Sequence, residues 1–460
     1  MNLIIGIAIL LVLMLSDAAH VSSESSHLLE RLAGVLLLTL VPVAVAAIQV
    51  IAVRMKDEAE QTVSQQLATA RVVALIHALV WFVASMAIIN VAKWHEVVRV
   101  HWEFDRFVLV DDFLILLPMI FSLILSWAIF FDESEGQPGS GLRIKERLEY
   151  VGLRCQVYLL VVLVPIALIM GAQDLWPWIR GFSPFVIGAA SVALVLSILC
   201  SMPLIVRLLW RNRPISDDEG RVELLDVCRI HGMTVKDIRV WETGNRVMNA
   251  LVTGLIPRLR VLMVSDLLLH TFPMNELKAI LRHEAGHIRL NHLPIRVGFV
   301  ILPALAMVAV EMDRGNALSV FLAQAVGDLP VDPSLILGLG FITYVLCISA
   351  WLSKNMEFEA DLYSVGLIGS DHEVFRDAIE AGCPGGLQAM ADALFRFGEQ
   401  NPDQFHRGSV THPSLHDRIE MIRGAANNPQ IVKRFRRRFT GIQIGIALIF
   451  PLLTGLIIWL

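Results

Sequence analysis

Long apolar runs dominate this chain and decide most of what it can fold into. They lie at about 1–15, 33–53, 72–92, 108–131, 157–173, 183–210, 296–312, 335–353 and 440–460. A helix of about 20 apolar residues is long enough to cross the hydrocarbon core of a bilayer. Every backbone N–H and C=O must be satisfied within the element there, which confines such runs to helices. Composition agrees: 55% of the 460 residues are hydrophobic and only 18% are charged, against about a quarter charged in ordinary soluble domains. The expected fold class is therefore mainly α, a polytopic helical membrane protein of about 8–9 spans. The first run is short and lacks the basic start of a signal peptide, so a short span and an uncleaved anchor both stay open. The 296–312 run is marginal.

Basic residues orient the runs, because cytoplasmic loops carry an excess of Lys and Arg. Arg54, Lys56 and Arg71 lie between runs two and three. Arg143, Lys145, Arg147 and Arg154 lie between four and five, and Arg207, Arg211 and Arg213 follow run six. Alternate loops are poorer, with Arg180 and Arg314, except that Lys93, Arg99 and Arg106 follow run three. The best fit places the N-terminus, the 132–156 loop and the segment after run six in the cytoplasm, with Trp176 and Trp178 in an outer aromatic belt. Five scattered cysteines (Cys155, Cys200, Cys228, Cys347 and Cys383) form no C-x-x-C pair, so neither a disulfide framework nor a thiolate metal site is indicated. A net charge of −5 gives no reason to expect nucleic acid.

Two polar stretches interrupt the runs. Over about 214–294, Ile238–Trp241, Met248–Val252 and Arg260–Val264 alternate like short strands, with Thr243-Gly244-Asn245 and Gly254 as turns. The second stretch, about 354–438, reads as helical, broken at Cys383-Pro-Gly-Gly and Asn401-Pro-Asp. It ends in a basic cluster, Lys433 to Arg438, suited to anchoring the last span against anionic lipid heads. Asp132–Gly141 is linker-like.

The first polar stretch contains His283-Glu284-Ala285-Gly286-His287. Imidazoles four residues apart share one helical face and can bind a single metal ion, with Glu284 placed to take a proton from a water. Leu277, Ile280, Leu281, Ala285 and Ile288 set an apolar stripe through the motif. Asn275 reads as the N-cap, with Glu276 in the first turn. Lys278, Arg282, Arg289 and Asn291 make this an amphipathic helix rather than a span. His292, five residues past His287, falls on a different face of a continued helix and reads as solvated.

Two histidines leave a zinc ion short of protein ligands, since catalytic sites commonly have three and a water. Runs seven and eight form a hairpin, so residues after Ser353 return to the side of the motif, where the chain reads Glu357-Phe-Glu-Ala-Asp361. Glu357 and Asp361 share a face, so one can ligate while the other orients an imidazole, and Glu359 points away from both.

These two motifs, followed by Thr411-His-Pro-Ser-Leu-His-Asp-Arg418-Ile, resemble a family of membrane gluzincin peptidases. The family includes the heat-shock protease HtpX and the CAAX prenyl endopeptidase. Asn249-Ala-Leu-Val-Thr-Gly254 through Val264-Ser-Asp-Leu-Leu-Leu269 resembles its strand and lead-in, and the resemblance covers about 236–424. It implies a small α+β zincin-like catalytic domain split by a transmembrane hairpin. The layout would be a multi-span region over 1–213, catalytic segments at 214–294 and 354–438, the hairpin at 295–353 and a last span at 439–460. It implies one Zn²⁺ per chain on His283, His287 and Glu357, with Glu284 as base and Asp361 behind the ligands. His412 and Arg418 would support the ligands and the developing oxyanion, and Asn249 and Ala250 would lie on an edge strand that pairs with substrate.

The implied function is zinc-dependent endoproteolysis of protein or peptide substrates, membrane proteins among them. It would serve quality control or processing, in a multi-pass protein of a bacterial inner membrane with its centre facing the cytoplasm. Site-two-type intramembrane proteolysis also uses H-E-x-x-H, but inside a span, which Arg282, Arg289 and Asn291 argue against. A catalytically silent metal-binding scaffold or transporter is the non-enzymatic alternative, and the intact Glu284 counts against it. His77 reads as a buried, hydrogen-bonded histidine, and Asp111 and Asp112 as interfacial groups. Oligomeric state stays open.

Overall fold

A computed structural model describes residues 2–18, 28–55, 63–134, 144–174, 181–314, 333–369, 386–400 and 402–459. Trp176, Trp178, Arg180, Lys56, Cys383 and Asn401 lie outside these residues, as does most of the linker-like 132–141 segment. The chain falls into two compact units: Met1–Leu199 with Leu204–Trp210, and Cys200–Pro203 with Arg211–Leu460.

Among the described residues five stretches are long and apolar enough to cross a membrane: Leu28–Val53, Val72–Asn90, Val110–Phe131, Ile144–Ala172 and Ala189–Leu209. They coincide with the second to sixth apolar runs. The first run forms the helix Asn2–Ala18, whose Ile5, Ala8, Ile9, Val12 and Leu13 pack into a core with Trp81, Ile89, Ile115 and Trp127. Leu36, Leu37, Ile48, Ile51, Leu75 and Val83 are exposed. That is more contiguous apolar surface than a soluble protein presents to water, and it suits lipid.

The cations that follow run three are paired. Arg99 binds Asp111 at 2.7 Å and Asp112 at 3.0 Å, Lys93 lies 3.5 Å from Glu96, and Arg106 lies 2.7 Å from Glu103. Asp111 and Asp112 are thus buried partners of Arg99. His77 is buried as expected, but its Nε2 has no hydrogen-bond partner among the described residues, and its ring meets Phe130 edge-on at 5.0 Å.

In the second unit the strands are β1 Asn212–Pro214, β2 Asp237–Trp241, β3 Ala250–Thr253 and β4 Val261–Ser265. They form one sheet in the order β1-β2-β4-β3. β2 and β4 are parallel, with Ile238 opposite Leu262. β3 runs antiparallel to β4, with Leu251 opposite Met263, and is an edge. Sequence reading missed β1, since a three-residue segment ending in Pro belongs on an edge, where a missing N–H does no harm. Asp266 ties the sheet to the next helix by accepting from the backbone N–H groups of Thr243, Gly244 and Asn245 at 2.8–3.2 Å. Those glycine and asparagine residues have φ of 66° and 58°, as a tight turn there requires.

The motif helix spans Met274–Arg289. Pro273, not Asn275, is its N-cap; a proline there needs no N–H, and Glu276 in the first turn is buried against Arg396 at 2.8 Å. Leu277, Ile280, Leu281 and Ala285 pack with Ile238, Val240, Leu262 and Val264 of the sheet. Gly286 faces the helix Pro333–Ser364, where a Cβ would lie 3.1 Å from the Ala360 backbone. That 32-residue helix runs unbroken from the eighth apolar run through Glu357 and Asp361. The helices His292–Arg314 and Pro429–Trp459 contain the seventh and ninth runs.

Candidate active site

The centre assembles from three segments. The motif helix supplies His283, Glu284 and His287. The Pro333–Ser364 helix supplies Glu357 and Asp361, and the helix Leu415–Asn427 with the segment that enters it supplies Arg418 and His412. That last helix starts after Ser414, whose Oγ accepts from Asp417 N at 3.0 Å, so Pro413 lies outside its first turn.

The Nε2 atoms of His283 and His287 are 3.2 Å apart, and they lie 3.5 Å and 3.7 Å from the Glu357 carboxylate oxygens. Donors around a tetrahedral zinc, at bonds of about 2.0–2.1 Å, stand about 3.3–3.4 Å from one another. The three side chains therefore fit a small tetrahedral cation. Asp361 Oδ1 accepts from His283 Nδ1 at 2.8 Å, which turns Nε2 toward the site. Arg418 is buried and donates to both Asp361 oxygens at 2.7 Å and 2.6 Å, with a third nitrogen 3.2 Å from Glu357. His412 is largely exposed and lies 3.2 Å from the other Glu357 oxygen through Nδ1.

Glu284 is aimed at the edge of the sheet, where its Oε2 accepts from Val252 N at 3.3 Å. Asn249 and Ala250 are on or beside β3, with Asn249 exposed and its backbone bound to Ser265. The register turns the N–H and C=O groups of Ala250 and Val252 to the open side of the strand.

Burial dominates the electrostatics and is answered differently at each group. It pushes the Glu284 carboxyl up to about 7. At His283 burial disfavours the imidazolium, but hydrogen bonds to Asp361 and Glu357 outweigh it and bring the group to about 9. Burial and the neighbouring His283 charge hold His287 well below its ordinary value. Burial would raise Glu357 and Asp361, yet Arg418 keeps both below the usual carboxylate range.

One placement differs from expectation. His292 is buried, with 2% of its surface exposed; its Nδ1 is 2.8 Å from His287 Nδ1 and its Nε2 is 3.3 Å from Glu359. The motif helix ends at Arg289 and Asn291 takes a left-handed conformation at φ 56°, so the next helix brings His292 back onto His287. Glu359 points away from Glu357 and Asp361, as its spacing requires, and into this contact. Sequence reading also missed Ser265 and Asp266, which fix β3 and its turn; Ser-Asp at the start of a helix is the signal that marks them.

A histidine pair on one helix and a carboxylate from a second form a donor set suited to one small metal ion, with a half-buried glutamate beside them. Residues 229–426 match the family described as Peptidase family M48. The chain is similar to the protease HtpX of Pseudomonas paraeruginosa (strain DSM 24068 / PA7), 30% identical over 201 residues, 39% of this chain and 63% of that protein. It is 29% identical over 200 residues to the protease HtpX of Psychrobacter sp. (strain PRwf-1), covering 38% of this chain and 60% of that protein. It is 25% identical over 195 residues to a protease HtpX homolog of Janthinobacterium sp. (strain Marseille), covering 38% and 61%. The chain thus spans 60–63% of the length of these relatives. A crystal structure of S. mikatae Ste24p aligns over 87% of this chain and 100% of that chain at 14% identity, with a TM-score of 0.49. The match of residues 229–426 to peptidase family M48 bears out the resemblance carried by the three motifs.

Proposed function

We propose that the protein is a zinc-dependent endopeptidase whose centre faces the cytoplasmic side of a bacterial inner membrane. The observation that carries this reading is the convergence of His283, His287 and Glu357 on one point, with Glu284 beside it. Those three residues would hold the zinc, which when bound supplies Lewis acidity toward a water and the scissile carbonyl. Glu284 takes the proton of the attacking water as its oxygen bonds to the carbonyl carbon. It then delivers that proton to the amide nitrogen as the C–N bond breaks. Asp361 and Arg418 hold the ligands in place. With Arg418 committed to both carboxylates, His412 is the better-placed group to donate to the oxyanion. Asn249 and Ala250 take an extended substrate backbone by strand addition to β3.

The layout that goes with this activity is a multi-span region over 1–213, catalytic segments at 214–294 and 354–438, a hairpin at 295–353 between them and a last span at 439–460. Proteins or peptides are the substrates, membrane proteins among them. The test is zinc content in detergent-purified wild type and Glu357→Ala. About one zinc per chain is expected in the wild type and none in the variant. Zinc-free wild type, prepared without chelators, would overturn the reading.

A further inference from the structure

Each of the two histidines of the motif is backed by a chain of polar side chains, and only one of these chains has been given a role above. His283 Nδ1 donates to Asp361, which Arg418 holds. His287 Nδ1 faces His292 Nδ1 at 2.8 Å; His292 Nε2 faces Glu359 Oε2 at 3.3 Å; and Arg436 lies 3.7 Å from the other Glu359 oxygen. His292 opens the helix His292–Arg314, Glu359 sits on Pro333–Ser364 and Arg436 on Pro429–Trp459, so three helices converge behind one imidazole.

The direction of this chain is fixed by chemistry. A carboxylate only accepts hydrogen bonds, so His292 must donate to Glu359 from Nε2 and keep its lone pair on Nδ1. That lone pair accepts from His287 Nδ1–H, which leaves the His287 Nε2 lone pair facing His283 Nε2 and Glu357. His292 is 2% exposed and Glu359 7% exposed. Burying such a pair costs free energy that an apolar residue there would not.

We propose that His292, oriented by Glu359, is a positioning residue that fixes the tautomer and ring angle of His287 for metal binding. This rests on the zinc-peptidase reading. Partners of this kind typically change metal affinity by roughly 10- to 100-fold when removed.

The test measures zinc affinity by chelator competition in the detergent-purified full chain, together with the melting temperature of the metal-free form. His292→Leu is expected to weaken zinc binding by roughly 10- to 100-fold while leaving the metal-free melting temperature close to wild type. His292→Asn restores an acceptor for His287 and is expected to recover most of that loss. Glu359→Gln, equal in volume but able to donate or accept, no longer dictates the proton on His292 and is expected to weaken binding as well. Wild-type affinity in His292→Leu, or equal losses in the Leu and Asn variants, would overturn the proposal. Should His292→Leu fail to fold, Glu359→Gln decides alone, and wild-type affinity there overturns it. A wild type that binds no zinc would overturn the peptidase reading, and this proposal with it.

Discussion

At the scale of single residues, Glu284 and His283 both titrate above their ordinary values, Glu284 because burial raises it and His283 because hydrogen bonds to Asp361 and Glu357 outweigh burial. In Glu284→Gln the amide keeps the shape of the side chain but cannot accept a proton. Zinc should therefore stay bound while hydrolysis of an unfolded protein falls by roughly a hundred- to ten-thousand-fold. His283 titrates at about 9 in the metal-free protein, raised from 6.5. A ligating imidazole must be neutral, so zinc binding between those values expels a proton. Calorimetry in buffers of different ionisation enthalpy should find roughly one proton released per zinc near pH 7.5, and affinity rising toward pH 9. The sign for stability is the reverse. A raised folded pKa contributes stability fully below 6.5 and loses it as pH rises through about 9, so the metal-free melting temperature should fall across that window. Arg418 stands between two buried carboxylates. Arg418→Gln would leave both uncompensated and should cost about 3–5 kcal/mol, read as a lowered melting temperature.

At the scale of elements, the site depends on how closely two helices approach. A Cβ on Gly286 would lie 3.1 Å from Ala360 Cα and 3.2 Å from Tyr363 Cβ, one turn from Glu357 and Asp361. Alanine improves helix propensity by about 1 kcal/mol, and overpacking costs about 1–3 kcal/mol. The two nearly offset, so Gly286→Ala should change stability little but weaken zinc binding by separating the ligand helices. An unchanged zinc affinity would show that the contact has slack. The same helices show what could be read from sequence. His283, Glu284 and His287 were legible because their spacing is meaningful on any continuous helix, and Glu357 with Asp361 for the same reason. His292 was misread because that logic assumes the helix continues, and the left-handed Asn291 ends it. β1 and the distant partners of Ser265 and Asp266 were illegible because they depend on strand pairing and turn contacts between segments distant in sequence.

At the scale of the whole molecule, the apolar runs predicted the five long helices of the described residues because length and hydropathy alone decide that question. What the first unit does was not legible, since helices packed by Ile, Leu, Val and Trp carry no chemistry that spacing could reveal. The proposed orientation has a direct check. Asp217 is exposed, so in a cysteine-free background Asp217→Cys should react with a membrane-impermeant maleimide in inside-out vesicles and not in intact cells. Labelling of intact cells would place the centre on the opposite face. The route of the chain through the site carries one more consequence. The histidine helix is synthesised before the hairpin, while Glu357, Asp361 and Arg418 follow it. A nascent chain that has emerged only as far as Ser353 holds a base and two imidazoles but no third ligand and no guanidinium to steady it. On the proposed reading such a chain would be inert, and proteolysis would wait until synthesis has passed Arg418, so a half-inserted copy could not attack the translocation machinery around it.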